Sequence, residues 1–139
     1  IQVGLENPRV FILGGGDYKS LPDSMFMCKE LVPDQSTANY NLKFKEMKRM
    51  KYARHGHSCC QVGNRYILVS GSRKEVSGAA NRVELFDTEI NDWMELSKIN
   101  EADIIIQAAI SMIDSSLFLV ESKIKTRNTP LLSKGYKYQ

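Results

Sequence analysis

Three short apolar runs, each closed by turn-forming or polar residues, recur along this chain at nearly equal intervals. Val10 to Leu13 runs into Gly14-Gly15-Gly16, Tyr66 to Val69 into Ser70-Gly71-Ser72, and Leu117 to Val120 into Glu121-Ser122. Ile12 and Ile67 are 55 positions apart, and Leu68 and Leu119 are 51 apart. A strand buried on both faces reads as such a continuous run, and glycines behind it let the chain reverse at positive φ. A second series keeps a similar step. Phe44, Met47 and Met50 stand 49 positions before Trp93, Leu96 and Ile99, as Ala53 does before Ala102. Two apolar series sharing a period near 50, with weak helical periodicity, predict an all-β chain of repeated antiparallel units, about four strands each.

The middle unit is the clearest. Residues 54 to 62 read as a first strand, Gly63-Asn64 as a tight turn, and Tyr66 to Val69 as a second strand. The polar stretch GSRKEVSGAAN, residues 71 to 81, follows as a long loop. Arg82 to Asp87 reads as the third strand, with Val83, Leu85 and Asp87 on one face and Glu84 and Phe86 on the other. TEIND turns the chain, and Trp93 to Leu96 makes a short outer strand.

This unit resembles a kelch repeat. The residues that carry the resemblance are Arg54 and His57 on the first strand, the apolar run ending at Gly71, and Phe86 followed seven residues later by Trp93. Departures exist: Ser72 stands in place of a second glycine, and Phe86 where tyrosine is usual. The first unit keeps Gly14-Gly15 but lacks the tryptophan, and the third has Asp103 and Ile106 for the Arg and His. The resemblance implies a partial kelch-type β-propeller of four-stranded antiparallel blades. Residues 1–52 form a partial blade, 53–101 a complete one, and 102–139 a partial blade with a basic C-terminal tail. It also implies that Trp93 packs between neighbouring blades. A propeller closes with at least about four blades, so the rest of a longer chain, or a partner, is expected to complete the ring. The start at Ile1 fits an internal segment.

Composition excludes little. An apolar share of 42% and a charged share of 25% are those of ordinary globular proteins. No apolar run approaches the ~20 residues of a membrane-spanning helix. The odd count of cysteines, with Cys59 and Cys60 adjacent, points to a reducing compartment, hence a cytoplasmic location.

Several constellations invite chemistry. His55, His57 and Cys59 alternate, so on a strand they share one face and offer soft metal ligands. The simpler reading is a repeat-position histidine beside a small buried thiol. A Cys–His nucleophilic pair fails on geometry, because same-face neighbours two positions apart sit ~6 to 7 Å apart. Gly14-Gly15-Gly16-Asp17 lacks the Gly-Lys-Ser/Thr ending of a phosphate loop. The basic run KFKEMKRMKYAR, residues 43 to 54, reads as a solvated connection between units rather than a nucleic-acid surface, since no stacking aromatics interleave it. No catalytic residue, metal ligand, cofactor or small-molecule substrate is therefore assigned.

The expected task is protein binding. Arg73, Lys74 and Glu75 occupy the long loop, which in kelch propellers lies on a face used for partners, and they are the candidate protein-binding residues. Arg54, His57, Gly71, Phe86 and Trp93 are expected to be structural repeat positions. The composition and the basic run lead to no expectation of nucleic acid or membrane; the resemblance implies a non-catalytic interaction module or scaffold within a larger propeller protein, with a protein partner. The alternatives it leaves open are the substrate-receptor domain of a cullin ubiquitin ligase, or a propeller enzyme such as a copper oxidase or a sugar mutarotase.

Overall fold

The computed structural model describes residues 1–16, 22–36, 41–72, 78–79, 81–98, 107–113, 116–123 and 132–138. These residues form strands β1 (Gln2–Val3), β2 (Arg9–Leu13), β3 (Cys28–Pro33), β4 (Leu42–Glu46), β5 (Ser58–Val62), β6 (Tyr66–Ser70), β7 (Val83–Asp87), β8 (Asp92–Glu95), β9 (Gln107–Ile113), β10 (Ser116–Lys123) and β11 (Leu132–Tyr138). One short 3-10 turn, Pro22–Phe26, is the only helical element among the described residues. Strands β1 to β4 make one four-stranded sheet and β5 to β8 a second, each in chain order. A third sheet has the order β11-β10-β9. Every pairing is antiparallel. The all-β expectation holds. No helix among the described residues is long and apolar enough to cross a membrane.

Register gives the repeat a physical form. In the first sheet Val10, Leu31 and Phe44 stand side by side across β2, β3 and β4. In the second, Ile67, Phe86 and Trp93 do so across β6, β7 and β8. The next row is Ile12, Lys29 and Glu46 in the first sheet, and Val69, Glu84 and Glu95 in the second. The step of 49 from Phe44 to Trp93 is thus a shared place in two sheets of like register.

Alternation then decides what is buried. Residues at odd positions of β2 share a face with Val3 and Cys28, and that face meets the second sheet. Val3, Phe11, Leu13, Cys28, Met47, Met50, Ile67, Val69, Phe86 and Trp93 form one apolar cluster between the two sheets. Phe11 meets Phe86 edge-on with ring centroids 5.9 Å apart, and Phe86 lies against Trp93 at 4.7 Å. Such aromatic pairs add roughly 0.5–1.5 kcal/mol beyond their area burial. On the other side of the second sheet Leu68 and Val83 are buried, and β9 lies beside β5.

The sequence reading needs four adjustments. The first strand of the second sheet begins at Ser58, not at residue 54, because Gly56 at φ 66° turns the chain just before it. Arg54 and His57 therefore precede the strand. Sheet one has four strands where only part of a unit is expected, since the pair Gln2–Val3 joins β2 as a short edge. The front of the basic run is strand β4, whose lysines alternate with Leu42 and Phe44. Part of the basic C-terminal stretch, Leu132–Tyr138, pairs with β10.

Candidate functional site

The second sheet carries a charged core at the end where β6 runs into β7. Arg54 and Glu84 are both fully buried. Arg54 donates to Glu84 Oε2 from Nε at 3.0 Å and from Nη2 at 2.7 Å. Its Nη1 donates to the carbonyls of Gly71 at 2.9 Å and Ala79 at 3.3 Å. Glu84 Oε1 accepts the Lys51 backbone N–H at 2.8 Å. Buried charges persist when paired and saturated in this way. Burial pushes the Arg54 guanidinium down from its ordinary value, opposed by the Glu84 carboxylate.

Arg54 also ties the sheets through its backbone. Its N–H donates to Met25 O at 2.8 Å, and its carbonyl accepts from Gly15 N at 3.1 Å. One residue thus joins the segment after β2, the 3-10 turn and both ends of the β6–β7 connection. Gly71 and Ala79 bracket that connection, so the guanidinium closes the loop's base. Arg73, Lys74 and Glu75, the candidate binding residues, lie outside the described residues.

His57 stands at the same seam. Its ring is bonded to the Leu13 carbonyl, while Nδ1 is buried without a protein partner among the described residues. A Cβ on Gly14 would come within 2.7 Å of His57 Cε1 and 3.0 Å of the Arg54 carbonyl. Gly14, at φ 53°, is there because no other residue leaves room for the imidazole. Burial, reinforced by the Arg54 charge, pushes His57 down from 6.5 to about 4. It is neutral at ordinary pH.

The thiols move the other way. Burial raises Cys28 to about 12 and Cys60 to about 11, and raises Cys59 as well. All three are free. His55, His57 and Cys59 are not gathered on one strand face, and among the described residues no three His, Cys, Asp or Glu side chains converge as metal ligands.

Trp93 is only 5% exposed and donates from Nε1 to the Lys48 carbonyl at 2.7 Å. It belongs to the apolar cluster between the two sheets. Gly71, at φ 78°, ends β6 and offers its carbonyl to Arg54. Of the five expected repeat positions, Phe86 and Trp93 lie in the apolar cluster between the two sheets, Gly71 accepts from Arg54, and His57 lies against Gly14. Sequence reasoning missed Glu84 as the partner of Arg54. Its signal was a carboxylate on the same strand face as Phe86, flanked by Val83 and Leu85.

Two further ion pairs frame the opposite end. Arg9 grips Glu30 at 2.6 and 2.9 Å and donates to Thr88 O across the seam at 2.9 Å. Arg65 grips Asp87 at 2.8 and 2.6 Å, and Asp87 in turn accepts the Glu89 N–H at the β7–β8 turn. A cleft of about 230 Å³ is lined by Asp23, Ser24, Met27, Lys29, Glu46 and Arg49. Its charges already pair among themselves, Lys29 with Glu46 at 2.6 Å and Arg49 with Asp23 at 3.7 Å. Compared with known proteins, the chain matches no family model and no curated sequence.

Proposed function

We propose that this chain is a non-catalytic protein-binding platform, a portion of a kelch-type propeller whose sheets hold the residue 71–81 loop out to a protein partner. The observation that carries the reading is the Arg54 clamp, which holds the loop's two ends by the Gly71 and Ala79 carbonyls. A loop fixed at its base loses less freedom on binding, and this saves part of the cost of association. Between these ends the sequence carries both signs of charge in Arg73, Lys74 and Glu75. A neutral His57 and raised thiols support a structural rather than catalytic role for those side chains. Three free cysteines are in keeping with a reducing, cytoplasmic setting.

The experiment is capture of the tagged native protein, followed by quantitative mass spectrometry, beside a variant carrying Arg73→Ala, Lys74→Ala and Glu75→Ala. The reading expects a protein at fixed stoichiometry that the triple variant loses without losing its thermal transition. A cullin among the captured proteins would identify the partner as a ubiquitin ligase. Equal recovery by both chains would refute the loop as the binding element.

A further inference from the structure

We propose that the peptide group joining Arg54 to His55 couples the connections that leave β2 and β6, so that a displacement at the start of either is passed to the other. In the first two sheets Val10 and Ile67 hold the same place, facing Leu31 and Phe86. The step from residue 10 to residue 67 also carries Gly14 onto Gly71 and Gly15 onto Ser72. Both of these starts lean on residues 54 and 55. The Arg54 carbonyl accepts the Gly15 N–H at 3.1 Å. The His55 N–H donates to Ser72 Oγ at 3.2 Å. That carbonyl and that N–H belong to one peptide unit, planar and trans, so they point in opposite directions. One rigid plane thus bridges corresponding positions of two sheets.

The plane is held closely on every side. A Cβ on Gly14 would lie 3.0 Å from the Arg54 carbonyl oxygen. The Arg54 side chain is anchored on Glu84 and on the Gly71 carbonyl, and its backbone N–H on Met25 O at 2.8 Å. Ser24 Oγ donates to the Gly15 carbonyl at 2.9 Å. Ser72 is 0% exposed, and its hydroxyl also donates to the His55 carbonyl at 3.4 Å. The second glycine of the kelch pattern would have no hydroxyl for either bond, so this half of the bridge depends on the serine. Gly56, at φ 66°, follows directly and supplies a left-handed pivot. Turning the plane about that pivot strains the Gly15 and Ser72 bonds together, because no soft torsion lies between its C=O and its N–H.

The inference deepens the platform reading and rests on it for one step: a partner seated on the 71–81 loop is then felt at Gly15 in the first sheet. The coupling itself is tested without a partner, by amide hydrogen exchange on the folded chain, so its failure would leave the loop capture experiment untouched. Ser72→Ala should speed exchange at His55 by about three- to tenfold, the scale of one hydrogen bond, and at Gly15 by the same factor. Ser24→Ala, made on the other side of the plane, should speed Gly15 and carry His55 with it. The Thr88 amide, bonded to the Arg65 carbonyl at the opposite end, should keep its rate in both variants. Faster exchange at His55 alone in Ser72→Ala, or at Gly15 alone in Ser24→Ala, would overturn the proposal. So would an equal acceleration of Thr88, since the two starts would then be no more coupled to each other than to the rest of the fold.

Discussion

Arg54 donates twice to Glu84 Oε2, at 3.0 and 2.7 Å, with both side chains wholly removed from solvent. The pair sits where four chain segments meet, so its loss is felt beyond two residues. Arg54→Met strands a buried carboxylate and leaves the Gly71 and Ala79 carbonyls unpaired. The expected loss is about 3–5 kcal/mol in urea unfolding. Arg54→Met with Glu84→Met should lose less than Arg54→Met alone, because no charge is stranded. Equal losses would mean that the pair is not coupled.

Trp93 is the chain's single tryptophan, and its indole N–H reaches the Lys48 carbonyl across the seam. Trp93→Phe removes that bond and some volume while keeping an aromatic against Phe86, and should cost about 1–3 kcal/mol. Trp93→Ala should cost about 3–5 kcal/mol by opening a cavity. Far-UV circular dichroism is the readout, since the fluorophore is lost.

Much of this was legible in the sequence, for a simple reason. β2, β6 and β10 each carry a continuous apolar run and so announced themselves, although β2 buries only one of its faces, and the fixed step from Phe44 to Trp93 revealed two sheets of one register. Edge elements carried no such mark. β1 is two residues long, and β4 is exposed along its length and rich in lysine, so neither pattern nor composition separated it from a linker. The start of β5 was misread because Gly56 looks like any strand glycine until its φ of 66° is known. Arg54 could be picked out as a repeat position. Its partnership with Glu84 spans 30 residues, and periodicity says nothing about who meets whom at that range.

Gly14 and His57 form a steric pair. Gly14→Ala adds a Cβ 2.7 Å from the imidazole at a φ of 53° that favours glycine. It should cost about 1–3 kcal/mol through strain and overpacking. Combining it with His57→Ala should relieve the clash but not the backbone strain, so the two effects should fall short of additivity. A double-mutant cycle by chemical denaturation measures this.

Acid sensitivity should begin above the carboxylate range. His57 is held near 4 against an ordinary 6.5, by burial first and the Arg54 charge second. The unfolded chain therefore takes up this proton before the folded one, and stability falls as pH drops from about 6.5 toward 4. The loss is on the order of 3 kcal/mol. Glu30 and Asp87, held low chiefly by their bonds to Arg9 and Arg65, add their own loss further into acid. His57→Gln should flatten the upper window and leave the lower one. Thermal melts at closely spaced pH values would show it, and an unchanged upper slope would contradict the assignment.

The central claim is that the first two sheets act as one rigid platform, sealed at a shared seam and clamped by Arg54. Native-state amide hydrogen exchange tests it most directly. The account predicts that the amides of Phe11, Ile67, Val69, Glu84 and Phe86 open together, as the slowest group, and that Arg54→Met lowers their protection by one common amount. If Phe11 opened independently of the second sheet, with Arg54→Met affecting only Ile67, Val69, Glu84 and Phe86, the platform would be two separate sheets and the account would fail.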